Sequence, residues 1–350
     1  MSHRKRALSA VAALAALVLV GCSAPTQTGT GSNTKKLTLV TYGSAFQDAQ
    51  EKSIIDPFRK KTGISVTVES PVDPARLKVM VETGNPTWDV YVADQQDVPA
   101  YCGKYFEKLD LGKINKDDFA KGTVEDCGAP LDTYSYTIVY NKKKYGANPP
   151  TSIADFFNTK KFPGSRAMSN DPSEGNLELA LIADGVSPDK LYPLDYDRAF
   201  KVLDRIKAKT IFWSSGAEQV QMMEQQRADM MLVWSGRGYE ATQNGAPYVP
   251  VWRDNIYHWA SLAIVKGSPN KVAAQKFIDY AVSKKPQTQW AESIAYGAAN
   301  LTATPTLDPS KATWDSSAKD HRAVSHHIDN RWWAKNQDEV VSRWTAWTAG

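Results

Sequence analysis

Strand-forming and helix-forming segments alternate strictly between residues 37 and 94. Alternating apolar or β-branched residues predict three strands: LTLVTY (37–42), ISVTVES (64–70) and WDVYVAD (88–94). Ser44, with Gln47 three residues later, predicts a capping box at the start of the first helix. Asp73 and Pro74 predict the start of the second helix. Because this order of elements in so short a stretch requires crossover connections, the sequence predicts a parallel α/β sheet.

The first 21 residues have the pattern of a secretory leader. Basic residues at positions 4–6 precede the run ALSAVAALAALVLVG, which is too short and too early for an ordinary membrane span. The run ends in LVGC, which resembles the cleavage box of bacterial lipoproteins, so Cys22 is the predicted lipidation site. Residues 22–35 then form a flexible tether that holds the protein outside the cell, on the outer face of the membrane or in the periplasm. An unmodified signal peptide with an incidental cysteine is the alternative.

A second series of strands and helices begins at residue 134. Its predicted strands are YSYTIVYN (134–141), TIFW (210–213), ADMMLVW (228–234) and YHWASLAIVKG (257–267). Helices are predicted near 152–158, 174–184, 195–208, 270–283 and 286–294, with another starting at Ser215. The tail from Asp320 predicts an amphipathic helix whose tryptophans are packing anchors. Since one core rarely exceeds about 250–300 residues, the chain beyond the leader predicts two lobes.

Removal of the leader leaves a nearly neutral chain. The leader holds three of the 42 lysines and arginines and none of the 38 acidic residues, so residues 22–350 keep one positive charge in excess. A nucleic-acid-binding surface or a polybasic membrane patch requires a much larger excess. We therefore expect no nucleic-acid partner.

Two cysteines remain once Cys22 is assigned to the lipid. Cys102 and Cys127 face an oxidising exterior, which favours one disulfide closing a short loop within the first lobe. Two buried free thiols are the alternative.

Motifs of catalysis and of metal binding are missing from the sequence. It contains no G-x-S-x-G elbow, no H-E-x-x-H and no G-x-x-x-x-G-K-[ST] phosphate loop. His321, His326 and His327 cluster in the tail, but without a carboxylate or cysteine at metal-ligand spacing. We interpret them as solvated histidines on a helix surface. The sequence therefore predicts no enzyme, no cofactor and no metal.

Several separate motifs resemble the bacterial extracellular solute-binding proteins that feed ABC importers. They are, in order, the leader, TLVTYGSAFQDAQEKSIIDPFRKKTGISVTVESP, GNPTWDVYVAD, SIADFFNTKKFPGSRAMSND, ADGVSPDKLYPLDYDRAF and VWSGR. The branch they resemble contains binders of spermidine and putrescine, and relatives that bind γ-aminobutyrate and opines. The resemblance implies a monomer that passes a small solute to a membrane permease.

The same resemblance implies a two-lobed, type II-like periplasmic-binding-protein fold. Each lobe is expected to be a mixed sheet flanked by helices, with a hinge of strands crossing near 131–136 and 251–258. The first lobe would comprise residues 36–132 plus 258–305, and the second residues 133–257. Residues 306–350 would form a C-terminal helical segment.

Acidic and aromatic residues at positions that resemble the polyamine pocket are candidate ligand contacts. Asp171 and Glu174 match its acidic positions, although both could instead be first-turn helix acids. Trp234 matches a ligand-stacking tryptophan, and His258 takes the place of a neighbouring tryptophan. Where that branch carries an aspartate for the amine, this chain has Ala260.

Arg237 follows Trp234 by three residues, as in the γ-aminobutyrate and opine-like relatives, where the arginine holds a carboxylate. A guanidinium makes two parallel hydrogen bonds to a carboxylate, which a lysine cannot reproduce. The alternative is a solvated loop cation in a sharp turn made by Gly236 and Gly238. Ser214 and Ser215 begin a helix, so free N–H groups there would favour an anion unless they serve only as N-caps.

Four further residues complete the predicted site. Trp213 is a candidate second aromatic wall. Ser44, Phe46 and Gln95 follow predicted strands of the first lobe, and open α/β sheets bind ligands at the carboxyl ends of their strands.

The sequence thus favours a binding protein for a small carboxylate-bearing or zwitterionic solute that resembles an amino acid, γ-aminobutyrate or an opine. A polyamine is the alternative ligand. A ferric ion would require an adjacent tyrosine pair, which the chain lacks. A secreted enzyme would use Asp171 and Glu174 as an acid/base pair.

Overall fold

The structure is a computed structural model that describes residues 35–350. The predicted leader, Cys22 and nearly all of the predicted tether lie outside the described residues. None of the helices in the described part combines the length and the apolar character needed to cross a bilayer.

Strands and helices alternate along the described chain. The strands are β1 (Lys36–Val40), β2 (Ser65–Glu69), β3 (Val90–Asp94), β4 (Phe106–Glu107), β5 (Ala129–Pro130), β6 (Asp132–Asn141), β7 (Arg166–Ser169), β8 (Thr210–Trp213), β9 (Met230–Trp234), β10 (Tyr248–His258), β11 (Ala260–Val265), β12 (Gly297–Ala298) and β13 (Ser325–His326). The α-helices are α1 (Ser44–Gln50), α2 (Asp56–Thr62), α3 (Pro74–Glu82), α4 (Asp97–Tyr101), α5 (Lys142–Tyr145), α6 (Ile153–Phe157), α7 (Asn176–Ala183), α8 (Tyr196–Lys207), α9 (Gly216–Glu224), α10 (Ser235–Gln243), α11 (Lys271–Ala281), α12 (Lys284–Ser293), α13 (Pro309–Ala312), α14 (Lys319–Arg322) and α15 (Asn330–Ala349). A π-helical turn (Glu51–Ile55) joins α1 to α2, and 3₁₀ turns span Leu111–Lys113, Lys116–Asp118, Pro172–Glu174 and Pro188–Lys190.

The first sheet is parallel where the sequence predicted it. Its order is β2-β1-β3-β11-β4, with β5 beside β11, and β1 pairs in parallel with both β2 and β3. β11 joins from late in the chain and runs antiparallel to β3, which makes the sheet mixed. The buried Leu37 and Leu39 alternate along β1 because successive side chains of a strand point to opposite faces.

The second sheet has the order β13-β10-β6-β9-β7-β8, with β12 beside β6. β7 runs parallel to β8 and β9, whereas β6 runs antiparallel to β9 and to β10. The chain passes between the two sheets at single residues: Leu131 separates β5 from β6, and Trp259 separates β10 from β11. The N–H of Leu131 donates to the carbonyl of Ala260 at 2.8 Å, so the two passages are bonded to each other.

Helix starts test the local sequence signals. Asp73 caps α3 as predicted, because its carboxylate accepts from the N–H of Arg76 at 3.0 Å. The predicted capping box at Ser44 is wrong. The N-cap is Gly43 instead. Its φ of 82° lies in the left-handed region, which glycine adopts freely and serine adopts only at a cost in conformational energy.

The tail is not one helix from Asp320. It forms α14, the edge strand β13 and then α15. Buried Trp333 and Trp344 anchor α15 on the second sheet's layer, as the sequence predicted, and their indole N–H groups donate to Glu178 Oε1 at 2.7 Å and to the carbonyl of Asn170 at 2.8 Å. The same helix also contacts α4, which follows β3 of the first sheet.

The three tail histidines do not lie on a solvated helix surface. His321 stacks on Trp252 with ring centroids 3.8 Å apart, and His326 contacts Asp254 at 3.3 Å. His327 follows β13 and lies edge-on to Tyr257. The prediction was wrong because the tail folds back along β10. Within residues 35–350 no group of three His, Cys, Asp or Glu side chains is placed to hold a metal ion.

Cys102 and Cys127 form the predicted disulfide. It joins the end of α4 to the segment before β5, across a sequence separation of 25 residues. Cys127 is fully buried among the apolar residues on one face of the first sheet. The disulfide therefore joins the ends of a loop that the short strand β4 alone would fix only weakly to the first sheet.

Loss of this disulfide should destabilise the first sheet. Replacing both cysteines, as Cys102→Ala with Cys127→Ala, should lower the free energy of unfolding by about 3 kcal/mol, because the unfolded chain regains the entropy of a loop of this length. Urea unfolding monitored by tryptophan fluorescence measures the change. Wild-type protein under reducing conditions is the matched control and should unfold like the double variant. Equal stability of the oxidised wild type and the variant would contradict the prediction.

Candidate functional site

Side chains from both sheets meet where the carboxyl ends of β1 and β3 face β6, β9 and the start of α10. We call this group the intersheet site and define it by Tyr42, Asp94, Gln95, Asp132, Tyr134, Glu174, Trp234, Arg237, His258 and Tyr296. Tyr42, Asp94, Gln95 and Trp234 follow the rule that open α/β sheets bind ligands at the carboxyl ends of their strands.

The first sheet contributes a hydroxyl, a carboxylate and an amide. The Tyr42 hydroxyl, just after β1, donates to Asp94 Oδ1 at 2.5 Å. Gln95, the next residue, is buried, and its amide nitrogen lies 2.8 Å from His258 Nδ1. Because His258 ends β10 of the second sheet, this hydrogen bond joins the two sheets at the site.

His258 is neutral in this environment. Burial is the main cause that lowers its pKa to about 4. Its Nε2 lies 3.2 Å from the carbonyl oxygen of Glu174, and its ring stacks on Tyr134 with centroids 5.1 Å apart. The ring is therefore a flat, uncharged wall rather than a cation.

Aromatic rings surround the site. Tyr134 meets Trp234 and Tyr296 edge-on, at centroid distances of 6.3 and 6.0 Å. Tyr296 in turn meets Phe46 of α1 at 5.8 Å. Trp213 is almost fully buried behind Trp234, at 5.3 Å, and its N–H donates to the carbonyl of Leu232. Trp234 is therefore the front wall and Trp213 its support.

Arg237 lies in the first turn of α10, not in a turn between elements. The predicted turn at SGRG is wrong, since helix α10 begins directly after β9. These two positions are glycine because aromatic rings lie too close to the backbone for a side chain to fit. A Cβ on Gly236 would lie 2.6 Å from the ring of Tyr296, and one on Gly238 would lie 2.2 Å from that of Trp314.

The guanidinium of Arg237 keeps unused donors. Nη1 donates to Glu240 Oε2 at 2.7 Å, whereas Nε is buried without a hydrogen-bond partner. Burial disfavours the charge, but Tyr296 and Glu240 outweigh it and raise the pKa of Arg237. The site therefore holds a permanent positive charge whose buried Nε packs against Gly216.

Acidic residues outnumber this single cation. Burial raises the pKa of Asp94, raises that of Asp132 to about 7 and raises that of Glu174 well above its usual range. Glu174 Oε2 accepts from the indole N–H of Trp234 at 2.8 Å. A site with one buried guanidinium and several carboxyl groups is suited to a ligand that carries both signs of charge.

Comparison with known proteins assigns the chain to a family. Residues 53–319 match the family model described as bacterial extracellular solute-binding protein. The chain belongs to this family. It is 32% identical to the gamma-aminobutyric acid-binding protein of Pseudomonas aeruginosa over 330 residues, which cover 91% of this chain and 92% of that protein.

Solved structures agree with this assignment. A structure of a GABA receptor is 38% identical, with a TM-score of 0.81, and the match covers 90% of this chain and 98% of the other. The PBP MotA from A. tumefaciens B6, in complex with glucopine, is 32% identical, with a TM-score of 0.78 and coverages of 89% and 99%. The predicted two-lobed fold of mixed sheets flanked by helices is thus confirmed. Proteins of this family bind small solutes and work with ABC permeases.

Two predicted site residues of this solute-binding protein, Ser214 and Asp171, already form hydrogen bonds with neighbouring residues. The N–H of Ser214 donates to Glu218 Oε2 at 2.6 Å, and Ser215 caps α9 through Glu218 N. Asp171 Oδ1 accepts from both the N–H and the hydroxyl of Ser173, at 2.9 and 2.7 Å. Both are the capping arrangements that the sequence left open. Ser44 is the first residue of α1, two positions after Tyr42.

Sequence reasoning missed Tyr42, Asp94, Asp132, Tyr134 and Tyr296. Tyr42 and Asp94 end predicted strands, so the rule that selected Gln95 could have found them. Asp132 and Tyr134 lie at the predicted crossing, where no ligand contact was expected. Tyr296 follows a predicted helix and has no local signal.

Two open surface cavities of the solute-binding protein lie elsewhere. They measure about 330 and 460 Å³ and lie near the amino ends of β1 and β3. The larger is lined by Thr38, Asp89 and Asn270 among others, and neither shares a residue with the intersheet site. The aromatic walls and charges described above therefore make the intersheet site the candidate for binding.

Gly236→Ala should destabilise the protein although alanine favours helices. The added methyl group collides with the Tyr296 ring, and overpacking of this kind costs about 1–3 kcal/mol. Thermal unfolding of Gly236→Ala, alone and in a Tyr296→Leu background, measures the coupling. The cost should shrink when the ring is absent. An unchanged melting temperature for the single variant would contradict the predicted contact.

Proposed function

We propose that this protein is the solute-binding component of an ABC importer and captures a small zwitterion of the γ-aminobutyrate or opine type. The relatives described above carry γ-aminobutyrate or glucopine in their names or structures. The observation that carries the proposal is the guanidinium charge of Arg237, whose side chain is 27% exposed at one end of an aromatic, acid-rich site.

Arg237 would hold the carboxylate of the solute. Its Nη1 is bonded to Glu240, which orients the guanidinium, and the remaining N–H groups can form the paired hydrogen bonds that carboxylates accept. The charge is stable at any physiological pH. A solute with a carboxylate therefore gains a charge-assisted bond that an uncharged analogue lacks.

The aromatic rings would enclose the carbon body of the solute. Trp234, supported by Trp213, forms one wall, and Phe46, Tyr134 and Tyr296 form the other. Burial of methylene groups between rings stabilises the complex in proportion to the apolar area removed from water. From the sequence, Asp171 or Glu174 would receive the ammonium group. Ser44 and Gln95 would line the opposite lobe, His258 would take the place of a pocket tryptophan, and the N–H of Ser214 would face an anion.

Binding would close the lobes without making or breaking a bond. Residues 36–132 plus 258–305 would form one lobe, residues 133–257 the other, and residues 306–350 a C-terminal helical segment. The solute shifts the population towards the closed state by its higher affinity for that state. We propose that the monomer is anchored by a lipid on Cys22 to the outer face of the cell membrane, where the closed form meets the permease.

A polyamine is the second candidate, favoured by the carboxyl groups of Asp94, Asp132, Asp171 and Glu174 in one region. Polyamines carry no carboxylate, so Arg237 would face a cation of like charge. The two candidates therefore make opposite predictions for this arginine.

Arg237→Ala should weaken γ-aminobutyrate binding by about 100-fold or more, because loss of a desolvated charged hydrogen bond costs roughly 2–5 kcal/mol. Arg237→Lys should recover only part of the affinity, since an ammonium cannot make the paired bonds. Isothermal titration calorimetry of the folded variants gives the affinities.

Arg253→Ala is the matched control, because that side chain is 73% exposed on the second sheet. It should leave binding unchanged. The polyamine would be the ligand, and the zwitterion proposal would be wrong, if the wild type binds putrescine tightly and Arg237→Ala binds it equally well or better.

A further inference from the structure

Asp132 begins β6, directly after the chain passes from the first sheet to the second. Successive side chains of a strand point to opposite faces, so Asp132, Tyr134 and Tyr136 share one face of β6. Tyr134 is a wall of the intersheet site on that face. The Asp132 carboxyl group therefore forms the floor of the site next to this wall.

The hydrogen bonds of Asp132 are incomplete. Oδ1 accepts from the N–H of Ala260 at 2.9 Å. Oδ2 is buried without any partner, and only 1% of the residue is exposed. An ionised carboxyl group needs a donor at this oxygen, and buried polar groups in native proteins nearly always have one. A ligand N–H⁺ group would supply that donor.

No basic side chain among residues 35–350 is recorded in an ion pair with Asp132. The charged group that acts on it is the carboxyl of Asp94, at the end of β3. Four tyrosines whose pKa Asp132 helps to raise also surround it: Tyr42 after β1, Tyr134 on β6, Tyr257 on β10 and Tyr296. A second carboxyl group disfavours an anion and favours a cation, and the tyrosine hydroxyls are neutral because their pKa values are raised. The surroundings of Asp132 thus complement an ammonium group.

We propose that Asp132 is the residue that receives the ammonium group of the solute. This inference rests on the proposed zwitterion function and places Asp132 in the role that the sequence predicted for Asp171 or Glu174. Asp171 Oδ1 is already bonded twice to Ser173, and Glu174 Oε2 to Trp234.

Tyr296 lies close enough to both Arg237 and Asp132 for each to act on the pKa of its hydroxyl, as Glu240 and Glu174 also do. A solute that bridges Arg237 and Asp132 directs its carboxylate to α10 and its ammonium group to the start of β6. The solute therefore carries its two charges at opposite ends of a short chain, as ω-amino acids do.

Because Asp132 is buried, binding of the solute should release a proton from its carboxyl group. Burial raises the pKa of Asp132 to about 7, so in the solute-free protein about nine-tenths of this group is protonated at pH 6. An ammonium ion bonds to the ionised form, lowers the pKa and releases the proton. Affinity should therefore rise between pH 5.5 and 7.5 and level off above the pKa.

Calorimetry with γ-aminobutyrate and butyrate separates the two ends of the site. Asp132→Asn keeps the acceptor for the Ala260 N–H and should fold, which circular dichroism checks. It should bind γ-aminobutyrate about 30-fold or more weakly, bind butyrate as the wild type does, and lose the rise in affinity with pH. Glu174→Gln and the exposed Asp126→Asn are the comparison variants, and both should keep the pH dependence.

Three outcomes overturn the inference. If Asp132→Asn keeps wild-type affinity and pH dependence, or if Glu174→Gln alone abolishes the preference for γ-aminobutyrate over butyrate, Asp132 is not the receptor and the proposed function stands. If the wild type binds neither γ-aminobutyrate nor any other ω-amino acid, the inference falls, and the proposed function falls with it if opines also fail to bind.

Discussion

The bond between Leu131 and Ala260 is the constraint on which the rest of the structure depends. It ties together the two one-residue passages between the sheets; a third, longer passage leads from β11 of the first sheet to β12 of the second. Asp132 strengthens the tie by accepting from the N–H of Ala260. The sheets are therefore linked along one line, and rotation about that line is the motion that this connection allows.

This arrangement also explains why the charges of the site are separated. Asp132 and Asp94 lie next to the linked passages, whereas Arg237 lies at the start of α10, beyond Tyr296. A guanidinium adjacent to Asp132 would form an internal ion pair and leave nothing for a ligand. In the proposed mode of binding, the absence of such a pair leaves both charges for the solute, at the cost of an incompletely bonded interior before the solute arrives.

Local signals in the sequence predicted local structure well. The strand–helix alternation predicted β1 to β3, and Asp73 predicted the start of α3, because both depend on neighbouring residues alone. The prediction of a turn at SGRG was wrong, because it relied on the two glycines, which ordinarily weaken a helix. Here packing overrides propensity, because the rings of Tyr296 and Trp314 fill the space that side chains would need.

The candidate site was only half predictable for the same reason. Trp234, Arg237 and Gln95 follow strands, and that position has a known meaning in α/β folds. Asp132 and Tyr296 are 164 positions apart in the sequence and meet only because β6 and β12 pair. Neither segment contains a sequence pattern that predicts this proximity.

Helix α15 gives the C-terminus a mechanical role. Its tryptophans hold it to the second sheet, while its contact with α4 reaches the first. Any motion that separates the two sheets must therefore break that contact. The far end of the chain is thus a further connection between the sheets, in addition to the linked passages.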